Sequence, residues 1–259
     1  MVLSKIGREL QKGRELALDL METLFRGFYP RLHNKNVAPG RWYADYYRTY
    51  VERDLREMLN VGDLTAFGRF VRLCAGRNAQ LQNLTSLAND CGISHTTAGR
   101  WLSILEASFL VTLLRPHHRN FGKRLIKSPK LYFLDSGLLC YLLRIGTPDE
   151  LRHHPSRGAI FETFVLSELY KNFVHRGDEP DLYLWRDSPG HEIDVVMESG
   201  RDLVPIEIKS GQTIAADFFS GIDFWRQLSG GSEGPAALVY GGERSLRRKS
   251  VVVYSWSSL

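Results

Sequence analysis

The sequence predicts an α/β protein: an N-terminal helical and winged-helix region followed by a mixed β-sheet domain. Three observations carry that prediction. Residues 84–107 read as two helices around a tight turn, and residues 108–135 read as two strands joined by a loop. From residue 158 the order is helix, three strands, helix, strand, strand.

Residues 8–26 place Leu10, Leu16, Leu20, Leu24 and Phe25 at helical spacing, and Gly27, Pro30, Pro39 and Gly40 then break the chain. Residues 41–60, RWYADYYRTYVERDLREMLN, read as an amphipathic helix with Trp42, Tyr46, Tyr50 and Leu55 as its apolar stripe. A further helix is expected over 63–77. In NLTSLANDCGISHTTAGRWLSILEA a first helix carries Leu84, Leu87 and Ala88, and a turn follows at Cys91-Gly92-Ile93. Ser94 is a good N-cap for a second helix running to Ala107, buried through Trp101, Leu102 and Leu105. Small Ala88 permits close packing, and Gly92 suits the left-handed turn conformation. This is helix-turn-helix grammar. SFLVTLLRP and KLYFLD read as strands around RPHHRNFGKRLIKSPK, which makes a wing. Asp135 or Ser136 caps a short helix through GLLCYLLR. Residues 144–157, with Gly146, Pro148 and Pro155, read as a linker, so divisions are expected at 1–40, 41–145 and 146–259.

The C-terminal part opens with a helix over 158–173 and a strand at LYLWR. HEIDVVME and LVPIEIKS form a hairpin turning at Ser199-Gly200-Arg201-Asp202. A helix near 215–228 and strands at AALVYG and SVVVYSW complete it.

Composition narrows the function classes. The 259 residues are 43% hydrophobic and 24% charged, as in a globular protein, and the net charge of +5 permits a polyanionic partner without requiring one. Cys74, Cys91 and Cys140 form no C-x-x-C pair, so the cysteines support neither a zinc site nor a disulfide framework. They read as buried free thiols in a reducing compartment. No apolar run reaches the length of a membrane span, and MVLSKIGRELQKGREL lacks the apolar core of a signal peptide. A cytoplasmic protein without a membrane partner is expected. No G-x-x-x-x-G-K-[ST] occurs, so the chain has no phosphate loop and no ATP site.

The hairpin carries the chemistry. With Gly200 and Arg201 at its tip, Asp194 faces Glu207 directly and Lys209 opposes Glu192; with Ser199 and Gly200 at the tip, Asp194 lies diagonal to Glu207. In both registers Asp194, Glu207 and Lys209 share one face, and Ile193, Val195, Ile206 and Ile208 share the core face. Directly opposed carboxylates are destabilising unless a cation sits between them. Mg²⁺ or Mn²⁺, held by such carboxylates, lowers the pKa of its water and neutralises charge on a scissile phosphate, while a lysine stabilises the developing charge. Glu162, on the helix that opens the domain, reads either as a further metal ligand or as a solvated glutamate. A plain reading also stands: Glu192 and Lys209 as a cross-strand ion pair, with Asp194 and Glu207 screened by Arg186, Arg201 or water. His191 has core-side parity and reads as a satisfied histidine rather than a general base.

Asp194 followed by Ile206-Glu207-Ile208-Lys209 resembles the PD-(D/E)XK nuclease superfamily. The resemblance implies a restriction-endonuclease-like mixed β-sheet domain, with Asp194, Glu207 and Lys209 as catalytic residues and Glu162 matching the superfamily's helix glutamate. Over residues 20–245, the segments WYADYYRTYVERDLREML, SLANDCGISHTTAGRWLSILEASFLV, KSPKLYFLDSGLLCYLL, RGAIFETFVLSEL and HEIDVVME…PIEIKSG together resemble the carboxy-terminal half of a prokaryotic AAA-type ATPase family. Its members join an ATPase domain to a winged helix and a nuclease-like domain. FRGFYPRL, Phe25 to Leu32, resembles the end of the ATPase lid, so residues 1–40 read as a helical remnant of it. The Walker motifs are absent. The resemblance implies a truncated or split member, with a separately encoded ATPase domain as a partner.

The loop from Arg115 to Lys130 carries Arg115, Arg119, Lys123, Arg124, Lys127 and Lys130, adds His117 and His118, and has no acidic residue. It suits phosphate contacts. His95, Thr96, Thr97 and Arg100, early in the second helix, suit base edges or phosphates. The same features also suit a packing module with a solvated basic loop. Three functions are therefore expected: a DNA-binding, Mg²⁺- or Mn²⁺-dependent endonuclease, a non-catalytic DNA-binding or regulatory module, or a subunit of an ATPase.

Overall fold

Local signals set most helix ends. The computed structural model describes residues 19–35, 37–54, 63–118, 125–200, 202–230 and 234–259. Leu10, Leu16, Leu55, Arg119, Lys123, Arg124 and Arg201 lie outside them.

Helix α1 (Leu20–Arg26) stops at Gly27, whose φ of +70° suits a residue without Cβ. Pro30 and Pro39 open α2 (Pro30–Asn34) and α3 (Pro39–Tyr46), where a missing N–H costs nothing. Beyond α3 the chain does not hold the straight α-helix expected; it widens into π-helical turns over Tyr47–Asp54. Trp42, Tyr46 and Tyr50 still stack in series, with ring centroids 5.1 and 5.4 Å apart.

Asp63 caps α4 (Leu64–Gly76) by accepting from Ala66 N. Asn83 caps α5 (Leu84–Cys91), which closes at Gly92 in the left-handed conformation, φ 69° and ψ 35°. Ser94 Oγ then accepts from Thr97 N to start α6 (His95–Ala107). Ala88, Trp101, Leu102 and Leu105 are buried, and Phe67 and Phe70 of α4 meet Trp101 edge-on at 5.2 and 5.5 Å. The expected helix-turn-helix is present. Beside it stands a sheet in the order β1-β3-β2, formed by β1 (Gln80–Leu81), β2 (Val111–Leu114) and β3 (Lys130–Phe133). Strand β1 has no counterpart in the sequence reading, because two residues show no periodicity.

Asp135, not Ser136, caps α7 (Ser136–Leu142). The stretch expected as a linker carries α8 (Pro148–His153), capped by Thr147, with Leu151 fully buried. Helix α9 (Arg157–Val174) follows.

The described residues divide into two compact units: Met21–Leu113 with Lys130–Phe164, and 19–20 with Leu114–Pro129 and Val165–Leu259. The division falls inside α9. It also assigns residues 114–118 and 125–129, the described ends of the basic loop, to the C-terminal unit rather than to the helix-turn-helix. Hydrogen bonding gives the reason. Residues at those two ends pair with β4 (Leu182–Arg186): Leu184 N donates to Arg115 O, His117 N to Leu184 O and Ile126 N to Arg186 O, at 2.8–3.0 Å.

The C-terminal sheet has the order β4-β5-β6-β7-β9-β8. Strands β4, β5 (Glu192–Ser199) and β6 (Asp202–Lys209) are antiparallel, whereas β6, β7 (Ala236–Tyr240) and β9 (Val251–Ser255) run parallel. The short β8 (Leu246–Arg248) returns antiparallel on the outside. A single 3₁₀ turn (Ala216–Phe219) leads into α10 (Ser220–Leu228), whose Ile222 packs with Phe219 on Leu238, Tyr240, Val251 and Val253. All three cysteines are free and buried, and burial pushes the Cys74 and Cys140 thiols up. No helix among the described residues is long and apolar enough to cross a membrane.

Candidate functional site

The β5–β6 hairpin closes at Ser199↔Asp202, with Gly200 at φ +65°. This is the two-residue tip in which Asp194 would oppose Glu207, yet the ladder ends at Val195↔Ile206. A bulge is the cause. Tyr183 pairs with Val196 and Trp185 with Ile193, so Leu184 alone faces both Asp194 and Val195. Bulges re-aim side chains. Here Ile208 N donates to Asp194 Oδ2 at 2.8 Å.

The bulge overturns part of the expected alternation. Ile193 does not share a face with Ile206 and Ile208; it packs with Val196, Trp185 and Trp225. His191 stacks on Phe224 with centroids 3.8 Å apart, and its Nδ1 lies 3.0 Å from Asp187 Oδ2. It is a satisfied histidine, but half-exposed rather than in the core.

Asp194, Glu207 and Lys209 do meet. Lys209 Nζ donates to Glu207 Oε2 at 2.6 Å and to Asp194 Oδ2 at 3.4 Å. The expected Glu192–Lys209 pair does not form: Arg186 Nη1 takes Glu192 Oε2 at 2.8 Å instead. The cation between the carboxylates in this structure is therefore the lysine ammonium. Access is graded, with Lys209 32% exposed at its side chain, Asp194 14% and Glu207 5%.

Glu207 owes its burial to α10. A Cβ at Gly221 would collide with Glu207 Oε1 and sit 3.1 Å from Glu192 O, so the helix comes this close only because residue 221 is glycine. Burial pushes the Glu207 carboxyl up to about 7 and the Asp194 charge adds to the rise, while Lys209 opposes it. Desolvation works against the Lys209 ammonium, but the charges of Asp194 and Glu207 hold its pKa above the usual lysine range.

The sign of the pH effect follows. A carboxyl raised from 4.5 to about 7 gives stability that is complete below about pH 4.5 and is lost as pH rises through about 7. Between pH 5 and pH 8 the wild type should therefore lose more stability than Glu207→Gln, which carries no titrating proton. Urea unfolding at the two pH values measures the difference, and parallel losses would contradict it. A divalent cation bound by Glu207 must also displace that proton below pH 7. Mn²⁺ held by Glu207 would then bind up to about tenfold more weakly per pH unit from 7 downward, as calorimetry at pH 6 and 8 would read.

The donor set fits a hard cation. Asp194 and Glu207 present carboxylate oxygens around one point, and among the described residues Asp194 Oδ1 accepts no hydrogen bond. Oxygen donors of this kind suit Mg²⁺ or Mn²⁺. Glu162 belongs to the other unit, where its carboxylate accepts from Tyr132 Oη and, at 3.4 Å, from Lys130 Nζ. Lys130 is accordingly buried, and its ammonium is not turned to solvent as a loop phosphate contact would be.

On α6, His95, Thr96 and Arg100 are exposed and Thr97 is half-buried, its hydroxyl on Ser94 Oγ at 2.8 Å. Arg115 and Lys127 are exposed, whereas His117 is buried. Sequence reasoning missed the Gly221 approach and the Arg186–Glu192 pair, neither of which left a local signal.

Fold and site together define a two-unit α/β protein that joins a helix-turn-helix region to a mixed sheet bearing a carboxylate–lysine cluster. The chain belongs to the family described as a domain of unknown function, DUF8612, which matches residues 17–149, just over half of its length. A second domain of unknown function, DUF4143, matches residues 157–259. Two uncharacterized mycobacterial proteins, from Mycobacterium bovis and Mycobacterium tuberculosis, are each 33% identical to it over 178 residues. The match covers 69% of this chain and 40% of each relative.

Proposed function

We propose that the C-terminal unit is a metal-dependent phosphodiesterase acting on DNA. One observation carries the reading: the bulge at Asp194 and the start of α10 gather Asp194, Glu207 and Lys209 at one point. Asp194 and Glu207 would hold the divalent cation. When bound, the ion neutralises charge on the scissile phosphate and acidifies a water. Lys209, displaced from between the carboxylates, offers its ammonium to charge developing on the phosphate. The exposed start of α6, with His95, Thr96 and Arg100, and the exposed Lys127 supply contacts to the polyanion.

The test is nicking and linearisation of supercoiled plasmid with Mg²⁺ or Mn²⁺, beside EDTA and the Asp194→Ala/Glu207→Ala double variant. Cleavage that needs metal and vanishes in the double variant is expected. No cleavage of plasmid, single-stranded or branched DNA would refute the reading. Lys209→Met should slow cleavage by about 10²-fold or more while Mn²⁺ still binds. Equal loss of binding and cleavage would instead show that Lys209 acts by holding the two carboxylates in place.

The burial of Glu207 beneath α10 favours a second reading: a non-catalytic DNA-binding or regulatory module whose carboxylates have Lys209 as their only cation. In that case the chain would bind DNA with strong salt dependence and without cleavage. The resemblance to the carboxy-terminal half of AAA-type ATPases adds a variant of this reading, in which a separate ATPase domain is the partner. Co-purification with such a domain, in the absence of DNA affinity, would single it out.

A further inference from the structure

A second cluster of metal-ligating side chains lies along β4 and the far end of β5 in the same sheet, and nothing in the carboxylate–lysine chemistry uses it. Leu184 N donates to Arg115 O at 2.9 Å and His117 N donates to Leu184 O at 2.8 Å, so residues 115–117 lie alongside β4. That pairing turns the His117 ring inward, where it is 2% exposed and meets the Tyr183 ring edge-on at 5.1 Å. Its Nε2 lies 2.6 Å from Glu198 Oε1 on β5. The Glu198 backbone is held in turn, its N–H donating to Asp181 O at 3.0 Å. The exposed ring of His118 stacks on His117 with centroids 4.5 Å apart.

We propose that His117, His118 and Glu198 bind one Zn²⁺ ion. One ligand atom from each lies within 4.8 Å of the others. Two imidazoles and one carboxylate form a borderline set that selects Zn²⁺, Co²⁺ or Ni²⁺ over Mg²⁺ and Ca²⁺. Tetrahedral bonds of about 2.0–2.2 Å place ligand atoms roughly 3.3–3.5 Å apart. The His117–Glu198 contact must open by less than an ångström, and the exposed His118 must draw in. Both movements are side-chain rotations at the sheet border, since Glu198 is one-third exposed at its side chain. Three protein ligands leave a fourth position for water or an anionic ligand. The ion would also tie residues 117 and 118, at the head of the basic loop, to β5.

The experiment uses the full chain without an affinity tag, stripped with chelator and titrated with Zn²⁺, Co²⁺ and Mg²⁺. One equivalent of Zn²⁺ should bind, and Co²⁺ should give the visible bands of four-coordinate N,O ligation. His118→Ala and Glu198→Gln should each weaken Zn²⁺ binding by about tenfold or more, and together abolish it. His118 is exposed, and glutamine at 198 keeps an acceptor for His117, so neither change threatens the fold. The Asp194→Ala/Glu207→Ala double variant should keep the Zn²⁺ equivalent and the Co²⁺ bands. Unchanged Zn²⁺ affinity in the His118 and Glu198 variants, or loss of the ion only in the Asp194/Glu207 variant, overturns the proposal.

Discussion

Asp135→Ala should destabilise the N-terminal unit by about 3–5 kcal/mol, the scale of removing a buried charged acceptor. Asp135 is 8% exposed and accepts three hydrogen bonds of 2.7 Å, from Leu138 N, Phe28 N and Tyr43 Oη. These donors come from α7, from the turn after α1 and from α3, so one carboxylate joins three segments. Tyr43 Oη keeps Arg26 O at 3.0 Å as a second partner, but the two backbone N–H groups lose Asp135 as their acceptor. The site is closed by glycines as well: a Cβ at Gly27 or Gly137 would strike the Tyr43 hydroxyl. Asp135→Asn keeps a capping oxygen but faces one donor with an NH₂ group, and should lose about 1–3 kcal/mol. Urea unfolding followed by circular dichroism measures both. A loss under about 1 kcal/mol for alanine would show that the cluster does not carry the unit.

Gly221→Ala is the second large effect, and its sign runs against propensity. Alanine in a helix is ordinarily better than glycine by about 1 kcal/mol. At this position the new methyl meets the Glu207 carboxylate and Glu192 O, so α10 must lift or Glu207 must turn. Overpacking of this kind costs about 1–3 kcal/mol. The variant should be less stable than wild type, and on the proposed metal-dependent reading its Mn²⁺ affinity should change with it because a carboxylate has moved. Adding Glu207→Ala should recover much of the lost stability by emptying the space. A Gly221→Ala variant as stable as wild type, with unchanged Mn²⁺ binding, would contradict the close approach.

What could be read in advance was local. Gly92, Ser94 and Asp135 act within a few residues of themselves, so the turn and the helix caps were legible. The hairpin tip was equally legible, because Gly200 and the flanking alternation set it. The bulge at Asp194 was not: it depends on how β4 pairs with β5, and no residue in HEIDVVME announces it. That single insertion changed the sides of Ile193 and His191. The burial of Glu207 depends on Gly221, fourteen positions later in sequence. Lys130 looked like one more basic loop residue, because the partner that hides its charge, Glu162, lies on a later helix. The basic loop read as a wing because its neighbours in sequence are β2 and β3, while its own Arg115, His117 and Ile126 hydrogen-bond to β4.

The sheet that carries the cluster has two borders, and neither is an open template. Along β4 the backbone groups of Leu184 and Arg186 are already spoken for by residues 115–117 and by Ile126. At the far side β8 is three residues long and solvent-facing, with Arg247 and Arg248, the latter 4.7 Å over the Phe219 ring. Short, positively charged outer strands and covered edges resist the docking of another chain by main-chain hydrogen bonding. Both features disfavour extension of this sheet by a peptide strand or by a second copy of the chain edge to edge. That leaves the side chains on its faces and loops as the surface this unit offers to a partner.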